Sequence, residues 1–160
     1  MNTTLKNIAL SRLLTVSALL PVAGQAEHHG AAATETVTAT AFTYAMNDER
    51  ITWHDCPAFF AKGCKLGILQ GDPAKPNSDV VFKTPGNYDL PEHWHTSAER
   101  MVLISGEMDL TYKGQETIQM TAGMYIYGPP KVSHTGRCVS AEPCELFIAF
   151  EGPIDAHEGH

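Results

Sequence analysis

Two stretches decide the reading: GNYDLPEHWHTSAERMVLISG (Gly86–Gly106) and GMYIYGPPKVSH (Gly123–His134). Residues i and i+2 of a strand point to the same face, so His93 and His95 can offer two imidazoles to one ion. Glu99 follows four residues after the second histidine, and His134 closes the second stretch. A carboxylate and a third imidazole complete a nitrogen and oxygen shell suited to a divalent first-row transition metal. Three histidines and a glutamate buried together without a partner would be costly, and an ion supplies that partner.

Outward from these stretches, short apolar runs alternate with turn residues. The pattern predicts strands at Lys65–Gln70, Val80–Lys83, Asp89–His95, Glu99–Ser105, Glu107–Tyr112, Thr117–Met120, Met124–Tyr127, Val132–Arg137 and Glu145–Phe150. Breakers stand between many of them, among them Gly71-Asp72-Pro73, Pro85-Gly86-Asn87 and Gly128-Pro129-Pro130. One helical turn or two is expected around Pro57–Lys62. Many short strands without 3.6-residue periodicity indicate an all-β sandwich or barrel.

The ends read differently. Lys6 and Arg12 precede the apolar run Leu13–Ala23, and small residues at Ala23–Ala26 offer a cleavage site. Residues 1–26 are therefore expected to be a signal peptide, with export to the periplasm or beyond. The run is 11 residues long, against roughly 20 needed to cross a bilayer; an uncleaved anchor is the competing reading. Residues 27–41 form a polar lead-in carrying His28 and His29, residues 42–152 the domain, and residues 153–160 a polar tail with His157 and His160. These terminal histidines read as solvated groups, with weak metal capture as the alternative.

The chain has 11 Lys and Arg against 18 Asp and Glu; loss of Lys6 and Arg12 leaves 9 against 18, a formal charge of −9. So acidic a protein repels phosphate backbones and anionic lipid, which argues against nucleic-acid or membrane-surface partners. The four cysteines, an even count in an exported chain, imply disulfides. Cys56–Cys64 with Cys138–Cys144 is the most natural of three connectivities, because each pair flanks a loop. A thiolate metal site competes with this reading but lacks any C-x-x-C spacing.

The two stretches resemble the paired motifs of the cupin superfamily. Gly86, His93, His95, Glu99 and Gly106 match the first motif, with a six-residue spacer before His93, one longer than usual. Gly123, Pro129 and His134 match the second, with Lys131 in place of its middle glycine and Cys138 in place of its asparagine. The wider chain is similar to exported single-domain bacterial cupins, a ChrR-like group without an assigned activity. The resemblance implies a small jelly-roll barrel of short antiparallel strands and one divalent metal (Fe, Mn, Zn, Ni or Cu) on His93, His95, Glu99 and His134. It further implies a small-molecule substrate, with oxidoreductase or dioxygenase chemistry leading and lyase or isomerase chemistry following. A metal- or ligand-binding module without turnover is the alternative. Many cupins are dimers, so a homodimer is the macromolecular partner implied.

Around the ligands, strand parity places Met101, Leu103 and Ser105 on the face of Glu99, and Asp89 and Pro91 on the face of His93 and His95. Asp89 and Glu92 are candidates to orient a ligand imidazole. Among Tyr88, Tyr112, Tyr125 and Tyr127, Tyr127 is the candidate catalytic residue, since a phenol can donate a proton; packing is the plainer role for each. Trp94 and Arg100 face away from the ligands by parity.

Overall fold

The computed structural model describes residues 40–159. The expected signal peptide, nearly all of the expected lead-in with His28 and His29, and His160 lie outside these residues. Eleven strands follow in order: β1 (Thr52–Asp55), β2 (Lys65–Gln70), β3 (Ser78–Thr84), β4 (Tyr88–Trp94), β5 (Glu99–Ser105), β6 (Glu107–Tyr112), β7 (Ile118–Thr121), β8 (Tyr125–Gly128), β9 (His134–Cys138), β10 (Cys144–Phe150) and β11 (His157–Glu158). They form two antiparallel sheets, ordered β1-β2-β3-β10-β5-β8 and β11-β4-β9-β6-β7. The fold is an all-β jelly roll, and the described residues contain no helix.

Period-two alternation builds the core. Along β10, Cys144, Leu146, Ile148 and Phe150 are buried while the residues between them are half-buried. Along β6, Met108, Leu110 and Tyr112 are buried. These faces meet Val80, Leu103 and Met120 between the sheets, each worth roughly 1.5–3 kcal/mol of apolar burial.

Three departures from the sequence reading have physical causes. The helix expected around Pro57–Lys62 is a turn, closed by the Phe60 N–H to the Pro57 carbonyl at 2.9 Å. Cys56 and Cys64 bracket it with Cα atoms 5.6 Å apart at a sequence separation of eight. A helix rising 1.5 Å per residue would hold those ends about 12 Å apart. The predicted strand that carries the third histidine starts at His134 rather than Val132, because Lys131 sits in left-handed backbone (φ 61°). Its N–H donates to the His95 carbonyl at 2.8 Å. Lys131 thus takes the conformation that glycine adopts most cheaply, and a tertiary hydrogen bond holds it there.

The third departure is the C-terminal segment. It reads as a solvated tail, yet β11 pairs with β4, setting His157 opposite Trp94 and Glu158 opposite His93. The His157 ring stacks on Trp94 with centroids 4.2 Å apart. The Gly159 N–H donates to the Glu92 carbonyl at 2.7 Å, and the Ile154 N–H to the Pro73 carbonyl at 2.8 Å. Residues 154–159 are therefore part of the fold.

Candidate metal centre

β4 carries His93, and His95 follows directly after its end, but simple alternation does not place them. Leu90 opposes Gly136 on β9 while His93 opposes His134, so three residues of β4 span two of β9. This is a β-bulge at Pro91-Glu92, where proline has no N–H for the ladder. Tyr88 and Leu90 point inward before it and His93 after it. Parity from the histidines therefore fails for Asp89, which is exposed and paired with Arg137. Pro91 is half-buried. Glu92 is exposed and accepts from the Ser133 hydroxyl at 2.8 Å. Neither Asp89 nor Glu92 orients a ligand imidazole.

Backbone carbonyls take that role. The Nδ1 of His93 bonds the Pro91 carbonyl at 2.7 Å, and that of His134 meets the Val132 carbonyl at 3.3 Å. His95 Nδ1 bonds the Asp155 carbonyl from the C-terminal segment. A carbonyl only accepts, so each Nδ1 carries a proton, and each neutral ring keeps its Nε2 lone pair free. One ligand nitrogen from each of His93, His95 and His134 lies within 4.8 Å of the others. The rings are close, with centroids 4.2 Å apart for His93 and His134 and 5.0 Å for His93 and His95.

Glu99 opens β5, 4% exposed, with Oε2 3.4 Å from His95 Nε2. Its cross-strand neighbour on β8 is Gly128. A Cβ there would stand 2.7 Å from the Tyr112 hydroxyl and 3.3 Å from Glu99 Oε2. Glycine at 128 leaves room for both groups. Tyr112 is buried opposite His134, its ring centroid 4.8 Å from the imidazole, and its hydroxyl has no hydrogen-bond partner.

Electrostatics follow from burial. Burial, then the nearby His134 and His95, drive the His93 pKa down to about 3. Burial and His95 drive that of His134 down to about 4. Burial raises the Glu99 carboxyl against the opposing pull of His95. Burial also raises the Tyr112 phenol, and Glu99 adds to it. Three unprotonated Nε2 atoms beside a carboxylate are four acceptors without a donor among them. A divalent cation satisfies all four, so the residues fit a metal ion, held by His93, His95 and His134 with Glu99 at the side of His95.

Tyr127 does not join them. It lies on β8 opposite Arg100, is 49% exposed, and is absent from the cavity beside the histidines. The tyrosine at the site is Tyr112, whose inward direction follows from β6 alternation and whose closeness to His134 comes only from the β6–β9 register. Arg100 faces outward toward Glu151 at 3.6 Å. The Cys56–Cys64 and Cys138–Cys144 pairs stand at disulfide distance, with Cα separations of 5.6 and 5.8 Å. The histidines end a cavity of about 200 Å³ between the sheets, which reaches exposed Asp55 and Pro57.

Facing antiparallel sheets around a three-histidine cluster define a jelly-roll protein of the metal-site class. Residues 80–150, which hold His93, His95, Glu99 and His134, match the family model of the cupin domain. None of the curated proteins matches this sequence. Among solved structures, a DMSP lyase from Ruegeria pomeroyi is similar at 17% identity and a TM-score of 0.59, over 68% of this chain and 60% of that one. An RmlC-like cupin from Shewanella frigidimarina is similar at 20% identity and a TM-score of 0.56, over 72% and 93%. An uncharacterized conserved protein from Klebsiella pneumoniae with a double-stranded β-helix domain is similar at 13% identity and a TM-score of 0.57, over 76% and 99%. The chain spans 53% and 60% of the two DMSP-lyase structures it matches. At these identities the likeness is one of fold.

Proposed function

We propose that this cupin is an exported metalloenzyme acting on a small molecule, with oxygen-dependent oxidation as its chemistry. The observation that carries it is the trio of neutral imidazoles, each fixed through Nδ1 by a backbone carbonyl, lining a cavity that reaches solvent. Three histidines and one carboxylate leave positions free for substrate, as catalytic rather than closed structural sites do. A divalent transition metal held there supplies Lewis acidity or, for iron, manganese or copper, redox capacity. The chain's own part is to fix the imidazoles, exclude water with the apolar walls, and keep Glu99 beside the reacting group.

Among the described residues the cavity has no acid or base beyond the three histidines, Glu99, Asp55 and Asp155. That scarcity supports chemistry driven by the ion, and it equally favours the second reading, a ligand- or metal-binding module without turnover. Export is supported by two cysteine pairs at disulfide distance, which suit an oxidising compartment. The test is oxygen uptake by the iron-loaded protein against a small-molecule library. Substrate-dependent uptake that vanishes in His95→Ala supports the enzyme; ligand binding without uptake or product supports the module.

A further inference from the structure

The cavity lining narrows what the site accepts. Its polar side chains are His93, His95, Glu99 and His134, together with Asp55 and Asp155. The remaining wall is apolar, with Leu90, Met101, Leu110, Leu146 and Ile148 from both sheets and Phe60 from the loop after β1. No lysine, arginine, serine, threonine, asparagine or glutamine lines it. Both aspartates are engaged elsewhere. Asp55 pairs with Lys65 at 2.5 Å. Asp155 accepts from the Thr96 N–H at 2.8 Å and faces His157 Nε2 at 3.2 Å.

Resting on the metal-site reading above, we propose that the ligand is a small amphipathic monoanion: an apolar body with one carboxylate, phenolate or thiolate head directed at the histidines. The volume sets its size. An apolar cavity of about 150 Å³ holds benzene, so about 200 Å³ holds roughly eight non-hydrogen atoms at that ratio. Charge sets its head group. Three neutral imidazoles and one carboxylate around a divalent ion leave one positive charge, which a single anionic donor cancels. A second carboxylate finds no cation in the wall and would be buried unpaired. Asp55 and Asp155 in the wall add repulsion against it. A hydroxyl in the middle of the cavity meets only hydrocarbon and loses its water partners, which weakens binding about 10–100-fold. The inference separates this site from one built for sugars or dicarboxylic acids, whose recognition needs fixed donors along the wall.

The test is calorimetric titration of the zinc-loaded full chain with 4-methylpentanoate, its near-isostere 4-hydroxypentanoate, and glutarate. Zinc content is measured on the same samples. The expected result is one-to-one binding of 4-methylpentanoate, about 10–100-fold weaker binding of the hydroxyl analogue, and no measurable glutarate binding. Methyl NMR is expected to shift Leu146 and Ile148 with the first ligand. A zinc-loaded protein that ignores 4-methylpentanoate, or takes glutarate or 4-hydroxypentanoate as tightly, overturns the ligand class and leaves the metal reading standing. A chain that holds no zinc overturns both.

Discussion

Ending the chain at Gly152 tests the most unexpected contact at the centre. The truncation removes the Asp155 carbonyl that bonds His95 Nδ1 and the Asp155 carboxylate that accepts from the Thr96 N–H. It also removes the Ile154 and Gly159 N–H bonds to Pro73 and Glu92. These four hydrogen bonds at about 1 kcal/mol net each contribute about 4 kcal/mol, and loss of the β11–β4 pairing and the His157–Trp94 stack adds to that. Against a typical 5–15 kcal/mol the sheets remain folded. The metal suffers more specifically. Without its acceptor the His95 ring is free to rotate or change tautomer, and loss of such an outer partner costs 10–100-fold in affinity. Zinc affinity, read by chelator competition on the truncated and full-length chains, is expected to fall by about that factor while the β-sheet circular dichroism persists. A folded, truncated protein with unchanged zinc affinity refutes the idea that the C-terminal segment orients His95.

Other outcomes follow from burial and geometry. In metal-free protein, His93 and His134 stay neutral down to about 3 and 4 while their unfolded forms protonate near 6.5, so stability falls as pH drops below 6.5. Glu99, raised above 4.5, acts in the opposite sense above that pH. Two imidazoles against at most one carboxyl leave a net loss of at least about 1.4 kcal/mol per pH unit once the unfolded imidazoles are protonated; urea midpoints that are flat or rise on acidification contradict this. Gly128→Ala, whose new methyl would stand 2.7 Å from the Tyr112 hydroxyl and 3.3 Å from Glu99, is expected to weaken zinc binding about tenfold through overpacking of about 1–3 kcal/mol, although no ligand is removed. Replacing Cys138 and Cys144 together by serine opens a loop with a sequence separation of six. The expected cost is about 2–3 kcal/mol on chain-entropy grounds, read by urea denaturation, and the parent protein should show no reactive thiols when denatured without reductant.

Much of this architecture was legible because period-two alternation and turn residues report directly on strands. The paired runs around His93, His95, Glu99 and His134 brought the three histidines together as expected, because each sits at a strand end pinned by a breaker. Legibility stopped where a local rule was overridden from a distance. Parity misplaced Asp89 because the bulge at Pro91-Glu92 resets the alternation. Residues 154–159 read as tail because two paired residues, His157 and Glu158, leave no periodic signal. The acceptor for His95 is a main-chain carbonyl, and any residue type carries one. Tyr127 stood out by its nearness in sequence to His134, whereas Tyr112 is the one opposite His134 across the β6–β9 pairing.

The most direct test of the central claim is the metal content of the protein isolated without affinity tag or added metal, measured beside His95→Ala. The account predicts near-stoichiometric divalent transition metal in the parent and almost none in a variant that keeps its β-sheet spectrum. Equal metal in both, or a parent that holds none and takes up none when iron, manganese, zinc, nickel and copper are offered, would contradict it.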